Sequence, residues 1–336
     1  NISDLTGIKD FIALDYLNCS YNSLTNFDLS NNTNLTQLFC GNNQINSLDV
    51  SNNTSLTHLY FGNNQVSTID ISNNTALLML SCQLNQLSNI NLTNNIFLSE
   101  LNCNNNQISS LDLTINTNLI GLECASNLLP TLDVSNNISL LKLFCGDNQF
   151  TSLDLINNIN INDLRIGNNQ IPSIDLSTLT SMRTFDCRNN LFDSLSLASN
   201  LLLERLICFG NNITELDLTT YSSLRMLWAW NNDLQSLDMR NGNNTNVIPN
   251  YFKTYGNPNL TCINVDDSTF STNNWPNIDN QSFFSNNCIL FNGCTDPNAN
   301  NYNPFATVDD STCLYSPFIF GCTDTSAFNY NPLATI

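Results

Sequence analysis

The side chains of this chain that could do chemistry are 13 cysteines, one histidine and scattered carboxylates. Eight cysteines share one position of a repeated pattern, namely Cys19, Cys40, Cys82, Cys103, Cys124, Cys145, Cys187 and Cys208. Parallel side chains on stacked strands lie about 4.8 Å apart and do not converge, which disfavours both disulfide bonds and tetrahedral metal sites. Phe61, Ile166 and Ala229 replace cysteine in the other repeats. We therefore predict a small apolar slot filled by eight reduced, buried thiols, with metal binding as the alternative.

Candidates for catalysis are few. Glu100 and Glu123 occur in adjacent repeats and could approach the separation of a glycosidase carboxylate pair. Sequence spacing identifies neither a nucleophile nor an orienting acid as a catalytic partner of His58. Because the shallow face of a repeat protein has no water-excluding cleft that would shift a pKa, we predict that the protein is not an enzyme.

The charge composition excludes several kinds of partner. The chain has 9 basic against 28 acidic residues, a formal net charge of -19, and no basic residue between Lys9 and Lys142 or after Lys253. Nucleic-acid binding needs a basic surface, so we predict no nucleic-acid partner. A membrane-spanning helix needs about 18 consecutive apolar residues, and this sequence has no such stretch, so we predict no membrane insertion. Because the chain begins at Asn1 rather than Met, we expect a processed or excised piece.

A repeat of 21 residues organises most of the chain, which contains 65 asparagines. A shift of 21 aligns an asparagine in eleven consecutive copies, at positions 22, 43, 64, 85, 106, 127, 148, 169, 190, 211 and 232. The unit reads LxxLxCxxNxLxxLDLSNNTx, and its eleven copies, here called coils 1 to 11, fill residues 14–244. No single copy could bury its apolar side chains alone. The pattern therefore predicts a β-rich solenoid in which neighbouring coils stack.

Each half of the unit contains an alternating apolar segment. Leu38 and Cys40, and then Leu48 and Val50, alternate with polar residues, which predicts short parallel strands on both sides of each coil and very little helix. The repeated asparagine is expected to turn the chain and to bond the backbone of adjacent coils. A row of aspartates, including Asp28 on the opposite side, is expected to accept hydrogen bonds from the turn that follows.

Segments such as LFCGNNQINSLDVSNNTSLTHL resemble bacterial leucine-rich repeats of the 21-residue class, and especially the internalin J-like type with a cysteine ladder. The resemblance covers about two thirds of the chain. It implies a secreted or cell-surface bacterial protein that acts in adhesion or recognition, and it carries over no catalytic residue. It also implies that ligands bind to the outer surface of the strands.

The ends of the chain are predicted to cover and extend the solenoid. Residues 1–13 are interpreted as an N-terminal cap, and residues 245–292 resemble the C-terminal caps of bacteroidete leucine-rich-repeat proteins. In that cap we expect Trp275, Phe283 and Phe284 to cover the last coil. We also expect Cys262 and Cys288 to form a disulfide bond.

Residues 293–320 and 321–336 form a complete and a truncated copy of a 28-residue tail repeat that resembles bacteroidete GCTD modules. Cys294 is expected to pair with Cys313, which leaves the second copy without its closing cysteine, so we expect the native chain to continue. Asp296, Asp309 and Asp310 could bind structural calcium; otherwise they are solvated turn residues. We expect no other cofactor.

The candidate ligand site lies on coils 7 to 11, where most of the basic residues and two of the three tryptophans occur. Its residues are Phe144, Arg165, Arg188, Arg205, Phe209, Trp228 and Trp230. Exposed aromatic and arginine side chains provide large contact areas. The alternative is that the tryptophans pack beneath the cap and that the arginines form a surface ion network with Asp163 and Asp186.

These observations predict an extracellular recognition or adhesion protein that binds a glycan or a protein through the outer strand surface. The alternative is a structural, self-associating subunit of a surface layer or an extracellular fibre.

Overall fold

The computed structural model describes residues 1–288, 292–303, 306, 308–315 and 321–332. The chain divides into two compact units, Asn1–Asn286 and Asn287–Ile336. In the described residues, no helix has both the length and the apolar character needed to cross a membrane.

The first unit is the predicted solenoid, and its main sheet has 12 parallel strands. In spatial order they are β1 (Tyr16–Asn18), β2 (Gln37–Phe39), β3 (His58–Tyr60), β4 (Met79–Ser81), β5 (Glu100–Asn102), β6 (Gly121–Glu123), β7 (Lys142–Phe144), β8 (Asp163–Arg165), β9 (Thr184–Asp186), β10 (Arg205–Ile207), β12 (Met226–Trp228) and β14 (Phe252–Lys253). Through β12 each residue pairs with the residue 21 positions on, as Leu38 does with Leu59. In every three-residue strand of this sheet from β2 onward, the middle residue is buried. The first and last residues of these strands point away from the core.

The prediction of strands on both sides of every coil is wrong. A second parallel sheet exists only near the end of the unit and contains β11 (Glu215–Asp217), β13 (Ser236–Asp238), β15 (Cys262–Asn264) and β16 (Phe283–Ser285). In earlier coils, side-chain amides provide much of the bonding between coils on this side. Asn53, for example, donates to the carbonyl oxygens of Leu29 and Asn32, at 3.2 and 2.9 Å. These bonds replace a backbone ladder, so the segments do not become strands.

Helix is scarce, as predicted. The described residues contain one α-helix, α1 (Ser268–Asn274), and three 3-10 turns, Ile8–Asp10, Asn244–Asn246 and Pro249–Tyr251. Asp267 caps α1 by accepting hydrogen bonds from the backbone N–H groups of Thr269 and Phe270.

The repeated asparagine bonds the backbone of adjacent coils, as predicted. The Asn127 amide nitrogen donates to the carbonyl oxygens of Cys103 and Cys124, at 3.0 and 3.1 Å. Its side-chain oxygen accepts from the N–H of Ile108 at 3.0 Å. One side chain therefore bonds backbone groups of two coils, and it provides the acceptor for the buried N–H of Ile108.

The cysteine column is confirmed as a row of buried thiols. All eight cysteines are free and buried. Burial raises the pKa of these thiols, to about 11 for Cys19 and to about 12 for Cys103 and Cys145. The thiols therefore remain neutral and behave as small apolar side chains.

Stacking continues beyond residue 244, because β14 extends the main sheet and β15 and β16 extend the second sheet. Trp275 is buried and stacks on Phe252 with ring centroids 4.2 Å apart, and Phe284 is also buried. Phe283 is 52% exposed, so its predicted role as a lid is wrong. Neighbouring residues of a strand point to opposite faces, and only one of the two phenylalanines can reach the core.

The second unit contains a short parallel pair of strands, β17 (Asn292–Gly293) and β18 (Val308–Asp309). A disulfide bond joins Cys294 and Cys313. Cys262, in the first unit, and Cys288 are disulfide-bonded cysteines as well.

The aspartate row gives the solenoid a dependence on pH. Nine carboxylates accept a hydrogen bond from the N–H group two residues on, at 2.9 to 3.0 Å, as predicted. Hydrogen bonds from the hydroxyl and the N–H of Thr114 lower the pKa of Asp112. Those from the hydroxyl and the N–H of Ser30, together with Lys9, lower the pKa of Asp28 to about 2. A carboxyl group whose pKa is lower in the folded than in the unfolded state stabilises the fold at pH values above its unfolded pKa of about 4. This stabilisation is lost as the pH falls through the folded pKa.

We therefore expect urea midpoints to decrease between about pH 4 and about pH 2. The control is Asp112→Asn, which copies Asn91 of coil 4, where the same bond from Thr93 is 3.0 Å long. This variant should lose less stability than the parent over that range, because its acceptor does not titrate. Equal losses in the parent and the variant would contradict the assignment.

Leu84 occupies an unfavourable backbone conformation. Its φ is 56°, in the left-handed region, whereas most other coils have asparagine at this position. Leucine is strained there and asparagine tolerates the region, so Leu84→Asn should raise the free energy of unfolding by up to about 1 kcal/mol. Leu128 is about equally exposed and does not have a positive φ, so Leu128→Asn is the control and should bring no gain in a denaturant titration.

Candidate binding groove

A groove of about 350 Å³ lies on the outer face of the main sheet. Its lining comes from coils 5 to 11 and consists of Asn104, Ala125, Phe144, Gly146, Asp147, Arg165, Gly167, Thr184, Asp186, Arg188, Arg205, Ile207, Met226 and Trp228. Because one repeat position stacks directly on the next, residues 21 apart become neighbours across the groove.

The groove contains five of the seven predicted ligand-binding residues, namely Phe144, Arg165, Arg188, Arg205 and Trp228. Phe209 and Trp230 do not line it. They stack on each other with ring centroids 3.8 Å apart, and Trp230 continues the stack onto Tyr255. Phe209 is buried in this arrangement. The two rings therefore support the neighbouring surface and are not part of the groove wall.

Arg165 is held rigidly in the middle of the groove lining. Its guanidinium carbon lies 4.2 Å from the centroid of the Phe144 ring. Two hydrogen bonds, of 2.9 and 2.8 Å, join it to the carboxylate of Asp163. This paired geometry fixes the side chain and raises the pKa of Arg165, so the group stays charged.

Asp186 provides a buried carboxylate in the floor of the groove. It is 4% exposed, and one oxygen accepts the N–H of Arg188 at 3.2 Å. The Arg188 guanidinium lies 3.6 Å from the other oxygen. Burial raises the pKa of Asp186, while Arg188 and Arg165 act in the opposite direction. The negative charge of Asp186 is therefore balanced by arginines of the same chain.

Trp228 and Arg205 form one end of the groove. The Lys253 ammonium lies 4.7 Å from the Trp228 ring centroid, and Tyr251 contacts the ring edge-on. The indole N–H is buried and unpaired in the described part of the chain. Arg205 is exposed and takes part in none of the ion pairs among the described residues. Arg205 thus presents hydrogen-bond donors at this end of the groove.

Of the two predicted alternatives for this region, the ion network exists in part, in the pairs from Arg165 to Asp163 and from Arg188 to Asp186. Trp228 is only partly buried, because its ring forms part of the groove wall.

The residues considered for catalysis have structural contacts. Glu123 accepts hydrogen bonds from the side chains of Asn102 and Asn104, at 2.9 and 3.0 Å. His58 bonds to the hydroxyl of its neighbour Thr57 at 2.8 Å. In the register of β5 with β6, Glu100 lies opposite Gly121 and not opposite Glu123. Nothing in the described residues indicates catalysis, in keeping with a binding scaffold.

The predicted calcium ligands of the tail all bond locally. Asp296 accepts from the N–H of Asn298 and from the hydroxyl of Tyr315, while Asp309 and Asp310 accept from the N–H groups of Ser311 and Thr312. No group of three His, Cys, Asp or Glu side chains that could hold a metal occurs among the described residues. Structural calcium in the tail stays a prediction, tested by whether a chelator lowers the temperature at which the tail melts.

Two surface features were not predicted. Three neighbouring aromatic rings occupy the outer face of coils 1 to 3, where Phe39 stacks on Tyr60 at 4.7 Å and lies at a tilt 5.5 Å from Tyr16. An exposed apolar patch on coils 4 to 7 contains Ile96, Phe97, Ile115, Ile120, Ile138, Leu141 and Ile159. The 21-residue alignment contains the signal for both, since most other copies have polar residues at these positions.

Solved structures of bacterial proteins resemble this chain. The functional domain of InlJ from Listeria monocytogenes, which includes a cysteine ladder, is 31% identical with a TM-score of 0.64, over 79% of this chain and 67% of that one. An internalin, InlF, from the same species is 26% identical with a TM-score of 0.59, over 69% and 78%. The Arabidopsis receptor kinase HAESA, solved with the peptide hormone IDA and the co-receptor SERK1, shares the fold at 23% identity and a TM-score of 0.63, over 76% and 51%. No protein-family model and no curated protein matches the chain.

Proposed function

We propose that the groove of this protein binds a protein ligand outside the cell. The chain belongs to the leucine-rich-repeat proteins, which is the first support for this proposal. The observation that carries this proposal is the groove itself. It places arginine and tryptophan, the residue types that dominate binding energy at interfaces, side by side on the outer face of one rigid sheet. The bidentate pair of Arg165 with Asp163 holds one of these side chains in place before a ligand arrives.

The similar structures support a role in protein interaction. HAESA, which has the same fold, binds a peptide hormone and a co-receptor. An extracellular or surface location is supported by the disulfide bond between Cys294 and Cys313 and by the similarity to InlJ, because disulfides persist in oxidising compartments. Surface anchoring and adhesion by a bacterial protein are part of the same proposal.

A protein is favoured over a glycan because a cation already covers one face of each aromatic ring in the groove. Arg165 lies over Phe144, and Lys253 lies over Trp228. A sugar ring would have to compete with these cations for the ring faces. A peptide can instead use the edges of the rings and the hydrogen-bond donors of the groove.

The test is selection of a displayed library of random linear peptides on the protein, followed by affinity measurements with variants. Arg205→Ala should weaken the selected peptides about ten-fold. Arg225 is an exposed arginine outside the groove lining, so Arg225→Ala is the control and should have no effect. Selected peptides that bind both variants like the parent would show that the groove is not the binding site.

The exposed apolar patch favours self-association as a second candidate function. Ile138 and Ile159 lie on adjacent coils and are more than half exposed. Large exposed apolar patches are typical of interaction sites. If copies associate through this patch, light scattering should show a mass that increases with concentration, and Ile138→Asn should keep the protein monomeric. A constant monomer mass would exclude this candidate.

A further inference from the structure

Two backbone amides in the floor of the groove have no hydrogen-bond partner. Gly146 and Gly167 line the groove and are buried. Neither N–H donates to any atom in the described part of the chain. Buried N–H groups are almost always paired, because an unpaired one costs free energy. The two glycines therefore present donors that a ligand acceptor would satisfy.

The same position in other coils shows where these N–H groups point. In three coils, the N–H is capped by the side chain two residues earlier, which lies on the outer face. These bonds run from Ser20 to Asn18 at 3.1 Å, from Asn104 to Asn102 at 3.1 Å and from Arg188 to Asp186 at 3.2 Å. The N–H at this repeat position is thus directed to the outer face, within reach of an acceptor there.

Coils 7 and 8 lack the cap because their outer residues cannot accept a hydrogen bond. Phe144 lies two residues before Gly146, and Arg165 lies two residues before Gly167. Neither side chain has an acceptor atom. One coil earlier, the N–H of Ala125 is capped by the Asn104 side chain at 2.6 Å. One coil later, Arg188 has its own cap. The two open amides are consequently adjacent. Gly41 and Gly62, on coils 2 and 3, form a second such pair among the described residues, outside the groove.

The surroundings of these two glycines are crowded. A Cβ atom on Gly146 would lie 2.7 Å from the carbonyl oxygen of Gly167, and one on Gly167 would lie 2.6 Å from Cγ of Arg188. A side chain on Gly146 would therefore meet the backbone of the next coil, and one on Gly167 would require the Arg188 side chain to move. With glycine, a ligand atom can approach the backbone closely.

Two other unpaired groups of the groove are donors, and Asp147 adds an exposed carboxylate to the lining. Arg205 has no ion-pair partner among the described residues, and the Trp228 indole N–H is unpaired among them. The one buried carboxylate, Asp186, is already matched by Arg188. A ligand that supplies acceptors and negative charge would complement the open amides and Arg205. A carboxylate does both, and charge-assisted hydrogen bonds are stronger than neutral ones.

We propose that the groove recognises an acidic segment of its protein ligand, with the oxygens of an Asp or Glu carboxylate accepting the N–H groups of Gly146 and Gly167. Stacked coils place these donors about 4.8 Å apart, which lets each reach one oxygen of the same carboxylate. Arg205 lies in the same groove and matches a second acidic side chain. This inference rests on the proposed function and adds the chemistry of the partner.

The test introduces an internal cap. Phe144→Asn copies coil 5, where the Asn102 side-chain oxygen accepts a hydrogen bond from the N–H two residues on. The new side-chain oxygen should therefore accept a hydrogen bond from the Gly146 N–H. Phe144→Leu removes the ring without supplying an acceptor. The chain also offers a matched control, because the Leu-Phe-Cys-Gly sequence around Phe144 recurs at Phe39, before Gly41, whose N–H is likewise unpaired among the described residues. Phe39→Asn makes the same change far from the groove.

The probes are a glutamate oligomer and a glutamine oligomer of equal length, and the readout is the amide spectrum of protein labelled with ¹⁵N only in its 11 glycines. The glutamate oligomer should move the Gly146 and Gly167 proton signals downfield, and the glutamine oligomer should not. Phe144→Asn should bind the glutamate oligomer about ten-fold more weakly than Phe144→Leu does. Phe39→Asn should bind like the parent.

Unmoved Gly146 and Gly167 signals, equal shifts with both oligomers, or equal affinities of the two Phe144 variants would each overturn the proposal. These outcomes are distinct from a failure of the proposed function. If selected peptides depend on Arg205 but are not acidic and ignore Phe144→Asn, the groove binds protein ligands by another chemistry.

Discussion

Trp228→Ala is expected to weaken the binding of groove-selected peptides by about 10- to 100-fold, or about 1.4 to 2.8 kcal/mol. Trp228 forms one end of the groove, and Lys253 and Tyr251 hold its ring in place. Truncation removes a large apolar surface and an indole N–H that has no partner within the described residues. Titration calorimetry on the parent and the variant measures the effect directly.

Two companion variants separate binding from folding. Trp228→Phe keeps most of the apolar surface and loses only the indole N–H, so its loss should be smaller, about ten-fold or less. Tyr255→Ala shortens the adjacent stack of Phe209 and Trp230 without touching the groove lining, and should leave affinity near the parental value. If Trp228→Ala binds like the parent while its thermal melting is unchanged, Trp228 contributes nothing to recognition.

The second large effect concerns stability. Asn127→Ala should lower the free energy of unfolding by about 2 to 4 kcal/mol. The substitution leaves the N–H of Ile108 buried without its acceptor. It also removes one of the two amide donors to each of the carbonyl oxygens of Cys103 and Cys124, which keep Asn106 and Asn148. Each buried donor or acceptor that loses its partner costs about 1 to 3 kcal/mol. Urea titration followed by circular dichroism gives the change.

The control for Asn127 is an asparagine in the same kind of repeat that does not bridge coils. Asn52 is exposed, and its side chain makes no hydrogen bond to the other described residues. Asn52→Ala should therefore change the stability by about 0.5 kcal/mol or less. Similar losses for Asn52→Ala and Asn127→Ala would show that the stability does not depend on the bonds between coils.

The repeat made the solenoid predictable. One 21-residue spacing determines the strand register, the buried thiols and the bridging role of Asn127, because identical positions must stack in a parallel array. The second side of the coil was not predictable in the same way. Leu48 and Val50 alternate like a strand, but the Asn53 amide, not the backbone, bonds the neighbouring coil there. Alternation reports burial and does not specify which groups form the hydrogen bonds.

The candidate site was predicted only as a region. Residue types placed Arg165, Arg205 and Trp228 on one surface, and the groove contains them. The sequence could not show that Phe209 is buried against Trp230, since this depends on side-chain rotamers at the last coils. It also could not show the open amides, because an unpaired N–H becomes visible only when every neighbouring acceptor has been placed.

The most direct test of the account is the crystal structure of the protein with a selected peptide. The account predicts that the peptide lies in the groove between Phe144 and Trp228, with a carboxylate within hydrogen-bonding distance of the Gly146 and Gly167 nitrogens. A peptide bound on the aromatic rings of coils 1 to 3, on the exposed apolar patch or on the opposite side of the coils would contradict it.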